Sequence, residues 1–271
     1  MNPSEAYAAL KQESLFTPRP ENRLVNRIAD VTLLFWIIKI LSTTVGETVA
    51  DYLSQDLELG LVITSYIMTA AFLVAFYFQL RAKAYVPAIY WTVVVLISIV
   101  GTLISDNLVD NLGVSLVTTT VVFSIGLILV FVLWYRSERT LSVHTIYTLK
   151  RELFYWAAIL LTFSLGTSGG DLVSERLDVG YAPSALLFAA LIAAIAGGYF
   201  FLAVNAVLAF WLAYILTRPL GASMGDLLAK IPDLGGLGWG TTMTSAVFLA
   251  TIVALVVYLG RRNRVMQLES A

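Results

Sequence analysis

Four aspartates, Asp51, Asp106, Asp171 and Asp226, each stand fifteen residues after a tryptophan and five after a glycine, in otherwise apolar segments. Carboxylates, hydroxyls and backbone carbonyls are the ligands of hard cations such as Mg²⁺, Ca²⁺ and Mn²⁺. Carboxylates held close together repel one another, so some must bind a cation, meet a basic group or take up a proton. The set is therefore a candidate metal or proton site. The structural alternative is that each Asp caps a short helix beginning after the glycine, accepting hydrogen bonds from free backbone N–H groups.

Helical spacing extends the candidate site. Counting back in fours from Asp51 gives Glu47, Thr43 and Lys39, a polar stripe on one helix face. The matching face carries Thr102 and Ser98 before Asp106, Thr167 before Asp171, and Arg218 two turns before Asp226. Glu47, unique to the first copy, is a candidate ligand, proton carrier or salt-bridge partner. Thr43, Ser98 and Thr167 would add oxygen ligands. Lys39 and Arg218 read as internal counterions, or alternatively as receivers of an anion. Thr64, Thr119 and Ser184, each 28 residues after its Trp, could add hydroxyls; Trp239 stands at that place in the fourth copy.

These residues belong to one template, aromatic-Trp-x9-Gly-x4-Asp. Its tryptophans are Trp36, Trp91, Trp156 and Trp211, and its glycines are Gly46, Gly101, Gly166 and Gly221. The Trp spacings of 55, 65 and 55 imply a two-helix unit doubled and doubled again. Two spans per unit bring every copy into the membrane in the same sense, so the four Asp lie at one depth, about 22 Å from the Trp level at 1.5 Å per helical residue. The tryptophans read as interfacial anchors and repeat-packing residues. The glycines serve either close packing or a helix break; "GTSGGD" and "GASMGD" favour a break in the last two copies and packing in the first two.

The elements that must position these residues are membrane spans. The chain has 271 residues, 59% hydrophobic and 13% charged, with a mean hydropathy of +0.83. Soluble domains are usually about 25% charged. Eight apolar segments follow a polar tail: Val31–Asp51, Leu59–Leu80, Ile89–Asp106, Val114–Trp134, Leu153–Leu165, Pro183–Phe201, Val204–Leu220 and Thr241–Gly260. The expected organisation is an N-terminal cytoplasmic tail (1–30), helical at Ala6 to Leu15, one membrane domain (31–260, repeats near 31–82, 86–136, 151–203 and 206–260), and a C-terminal tail (261–271). Thirteen Lys and Arg fall in the tails and even-numbered connections, against Arg176, Arg218 and Lys230 on the other side and Lys39 within a span. This asymmetry predicts cytoplasmic termini.

Composition also excludes chemistry. No Cys means no disulfide, thiolate metal site or cysteine nucleophile, and the single His144 does not supply the several imidazoles of a histidine-rich metal site. No basic tract suggests nucleic acid, and no zinc-hydrolase, membrane Ser-His or nucleotide-loop motif suggests an enzyme or a cofactor. Nothing specifies an oligomeric state.

The repeated Trp, Gly and Asp sets from Phe35 to Gly260 resemble the bacterial inner-membrane family of four tandem two-helix repeats of unknown function, each with a marker tryptophan. That resemblance implies an all-α, multi-pass protein of the bacterial inner membrane. The expectation is thus an eight-span, parallel-repeat protein whose partners are the lipid bilayer and a divalent cation or proton. Its expected function is cation transport or export through the acidic set. The alternatives are a permease for a small organic or anionic solute and a non-transporting scaffold.

Overall fold

The computed structural model of the protein describes residues 26–269. The tail helix expected at Ala6 to Leu15 lies outside them. Among the described residues there are eight helices long and apolar enough to cross a membrane, and no strand. They are α1 (Leu33–Asp51), α2 (Gly60–Arg81), α3 (Pro87–Asp106), α4 (Leu116–Glu138), α5 (Leu149–Asp171), α6 (Tyr181–Phe201), α7 (Ala206–Ala229) and α8 (Gly240–Glu269).

Their starts follow from local chemistry. Thr32, Ser115, Thr148 and Asn205 cap α1, α4, α5 and α7 with side-chain oxygens that accept backbone N–H bonds. Pro87 opens α3, where its missing N–H costs nothing. The first, third and fifth helices each end at the template Asp and pass into one π turn: Tyr52–Asp56, Asn107–Asn111 and Leu172–Arg176. A residue of positive φ, Glu58, Gly113 or Asp178, then turns the chain in each copy.

Burial sorts the helices into two shells. Those carrying the polar stripe (α1, α3, α5, α7) bury 61% to 67% of their most apolar stretch, and the others bury 17%. A helix that is apolar all round suits a lipid-facing position, and one with polar residues on a face turns them inward. The inner four close a ring, α1 against α3, α3 against α5, α5 against α7, and α7 against α1. Each outer helix packs on the inner helix of the following repeat: α2 on α3, α4 on α5, α6 on α7, and α8 back on α1. A hydrogen bond of 2.7 Å from Ser245 to Thr48, with one from Thr241 to Asp56, fastens that last closure.

The sequence template is the code for this ring. Phe35 meets Trp91 (5.6 Å between ring centroids), Tyr90 meets Trp156 (5.5 Å), Tyr155 meets Trp211 (6.3 Å), and Phe210 returns to Trp36 (5.7 Å). Trp91, Trp156 and Trp211 are buried and Trp36 half-buried, so the template tryptophans pack between repeats, one of their two expected roles, and the three buried ones are not interfacial anchors. Farther along, each glycine admits a side chain of the next helix: Gly46 takes Ser98, Gly101 takes Phe163, Gly166 takes Arg218, and Gly221 takes Thr43. A Cβ at any of the four would collide with that side chain.

This packing overturns the expected breaks at Gly166 and Gly221. α5 and α7 run through them unbroken, reaching Asp171 and Ala229 rather than stopping near Leu165 and Leu220. Glycine weakens an isolated helix, but here it permits close approach, while Thr167 and Ser168 return their hydroxyls to Phe163 and Ser164 carbonyls at 3.2 Å. α8 continues to Glu269, so residues 261–269 of the expected C-terminal tail are helical.

Gly221→Val should cost about 3 kcal/mol or more by overpacking, seen as a lower melting temperature in detergent. Gly197→Ala, in a helix position with open space, should be neutral or stabilising by up to about 1 kcal/mol; equal effects would refute the packing role.

Candidate functional site

The inner helices stack their inward residues in layers four apart. Three residues after each template Trp come Lys39, Val94, Ile159 and Tyr214. Seven after come Thr43, Ser98, Phe163 and Arg218; eleven after come Glu47, Thr102, Thr167 and Ala222. The aspartates follow, and nineteen after each Trp stand Gln55, Asp110, Glu175 and Lys230.

Arg218 holds the middle. It is fully buried, and its Nη2 donates to Glu47 Oε2 at 2.7 Å, to Thr167 Oγ1 at 2.7 Å and to Thr102 Oγ1. Its Nη1 donates to the Thr43 carbonyl at 3.2 Å. One guanidinium is thus bonded by all three other repeats. An arginine suits this place because its planar fork carries five donors and stays charged.

Above Arg218, at the end of the bundle away from the described termini, a cavity of about 360 Å³ opens. All four template aspartates line it together with Glu47, Asp110, Glu175, Gln55, Ser54 and Lys230. The structure therefore brings the Asp set and Glu47 into one vestibule. Asp51 and Asp226 are buried and Asp106 and Asp171 half-buried. Asp51 accepts from Gln55 Nε2 at 2.8 Å and from Lys230 Nζ at 3.0 Å, and Lys230 stands 3.8 Å from Asp226 Oδ1. Burial works against the Lys230 charge, but Asp51 and Asp226 outweigh it and hold the ammonium above the ordinary lysine range. Glu47, Asp51 and Asp226 can each present an oxygen such that all three lie within 4.8 Å of one another.

Several expected roles are corrected. Asp51, Asp106 and Asp171 make no helix-capping bond; they end helices whose next turn widens, a geometry often found at functional sites. Thr43, Ser98 and Thr167 do not line the vestibule. Thr167 is held by Arg218, Thr43 donates to the Ile40 carbonyl at 2.6 Å, and Ser98 is wedged against Gly46. Lys39 is no counterion to a carboxylate: its Nζ lies 4.0 Å from the Phe163 ring centroid and 4.3 Å from that of Tyr214, a cation–π position. Thr64, Thr119 and Ser184 are buried but outside the vestibule, and the fourth copy supplies Thr244, not the exposed Trp239. Gln55, Asp110, Glu175 and Lys230 form a further polar layer of the cavity wall, one helical step beyond the aspartates.

Four successive stretches of the chain, residues 34–85, 89–140, 154–204 and 209–264, match the family model described as Repeat of Unknown Function (DUF347). The chain belongs to that family. The four DUF347 repeats coincide with the four inner-outer helix pairs of the ring, and the inner helix of each is covered by the outer helix of the preceding unit. No curated protein and no solved structure matches the chain.

Removing one partner of a buried ion pair strands the other, at a cost of about 3–5 kcal/mol. Arg218→Met should destabilise the protein by that order in detergent unfolding. Adding Glu47→Gln to it should recover part of the loss, because the stranded carboxylate is gone; a purely additive double variant would refute the coupling.

Proposed function

We propose that this protein is a transporter of a cation, best fitted to a hard divalent metal ion, in the bacterial inner membrane, with both termini cytoplasmic and the vestibule facing outward. The observation that carries the reading is the vestibule's charge: Glu47, Asp51, Asp106, Asp110, Asp171, Glu175 and Asp226 line it, against Lys230 alone. Such a concentration of one sign in a low-dielectric wall attracts counter-ions. Intramembrane acids are expensive and mark ion pathways by default.

The spacing of Glu47, Asp51 and Asp226 supports the metal class. Oxygens around one Ca²⁺ lie 2.3–2.6 Å from the ion, and those around Mg²⁺ about 2.0–2.1 Å, so ligands of one ion are separated by no more than about 5 Å. The trio meets that limit with its oxygens within 4.8 Å. Asp106 and Asp171 across the cavity would complete the shell or receive the ion next. Orientation is supported by the Lys and Arg bias toward the described termini and their connections. The anion alternative loses ground because Arg218 spends its bonds on the protein and Lys39 lies between rings.

Asp106 and Asp171 have no side-chain hydrogen bond or ion pair among the described residues, so Asp106→Asn with Asp171→Asn removes charge without removing a structural contact. In liposomes loaded with a divalent-sensitive dye, ion flux should fall at least about tenfold, a barrier change of about 1.4 kcal/mol, while the melting temperature stays level or rises. A ligand at a hundred times its Kd should also stabilise the wild type by about 2.7 kcal/mol. Unchanged flux in the double variant would sink the proposal.

A further inference from the structure

We propose that Lys230 is a tethered substitute for the transported cation, whose ammonium must leave the acidic vestibule before Glu47, Asp51 and Asp226 can hold an ion together. This rests on the cation reading and specifies how the site is regulated. The ammonium sits at 3.0 Å from Asp51 Oδ2 and 3.8 Å from Asp226 Oδ1, two members of the trio whose oxygens lie within 4.8 Å of one another. An alkylammonium is itself a compact hydrated cation with three donors. A cation and this ammonium therefore compete for the same carboxylates.

The fourth repeat is built differently from the others to place it. In the first three, the chain leaves the template Asp through a π turn and presents Gln55, Asp110 or Glu175. In the fourth, α7 stays α-helical to Ala229 and the chain turns to extended backbone at Lys230 (φ −64°, ψ 151°). The following loop folds back on that point. Leu237 N–H donates to the Leu227 carbonyl at 2.7 Å, Gly238 to that of Lys230 at 2.8 Å and Trp239 to that of Leu228 at 2.9 Å. Gly236 passes so close to the Lys230 carbonyl that any Cβ would collide with it. This loop delays the buried outer-helix hydroxyl to Thr244, eighteen residues after Asp226, where Ser184 follows Asp171 by thirteen. The backbone of Lys230 is thus pinned while its side chain, 25% exposed, keeps a route to water on a flexible four-carbon stem.

When the binding-competent state is populated only in part, apparent affinity falls by that fraction. Mn²⁺, Mg²⁺ and Ca²⁺ binding would be measured in turn by titration calorimetry on the purified full-length protein, on Lys230→Met and on Lys230→Arg. The metal that binds wild type should bind Lys230→Met about tenfold tighter or more, with Lys230→Arg near wild type. Equal affinity in wild type and Lys230→Met would overturn the displacement role and leave the cation site standing. Weaker binding in Lys230→Met would overturn it too, making Lys230 a positioning group for Asp51. Absence of binding in all three would overturn the cation reading and this inference with it. Should Lys230→Met not be recovered folded, Lys230→Gln, which keeps a donor for Asp51, carries the same expectation.

Discussion

A single guanidinium, fully buried on the ring axis, sets the terms for everything around it. Arg218 has no water to bond, so the fold must deliver acceptors from several directions at once. It does so by bringing a carboxylate and two hydroxyls from three different helices to one Nη2, with a main-chain carbonyl on Nη1. Repeat symmetry alone would place four identical residues here. Four arginines would repel one another and four threonines would need no partner, so the layers diverge to Thr, Ser, Phe and Arg, then to Glu, Thr, Thr and Ala. The symmetry of the scaffold is kept where packing alone matters and given up where charge must balance.

That arrangement divides the interior along its axis. On one side of Arg218 lie Lys39 between two rings, a Tyr90–Tyr155 hydroxyl pair at 2.5 Å and the interlocked Trp pairs. On the other side lies the acidic cavity. Arg218 also draws Glu47 to the cavity floor, so the residue that balances the buried cation is also a member of the candidate metal trio. Stability and ligand chemistry share that one carboxylate.

The repeat template made the helix count, the shared depth of the aspartates and the inward polar stripe legible from residue types alone. The convergence on one cavity was not legible, because pseudo-symmetry of sequence fixes depth but not radius. The glycines at 166 and 221 misled through local propensity: a Gly beside Ser and Thr reads as a break in isolation, whereas a neighbouring Arg218 or Thr43 side chain needs that missing Cβ. Lys39 was read as a counterion because charge was counted along its own helix; the partner that holds it is the pair of rings from α5 and α7. Lys230 escaped because it stands just past the apolar run, where the periodic signal ends but the spatial layer continues.

The exchange of outer helices between repeats has a consequence for how such a chain is made. α2, α4 and α6 are each followed at once by the inner helix they cover, but α1 is covered by α8, the last to emerge. α1 also carries Lys39 and Glu47, whose partners Tyr214 and Arg218 are on α7. During synthesis α1 therefore waits for α7 before Glu47 meets Arg218, and for α8 before it is covered. Loss of α8 alone would uncover α1 and leave the other three inner helices with the outer helices that cover them.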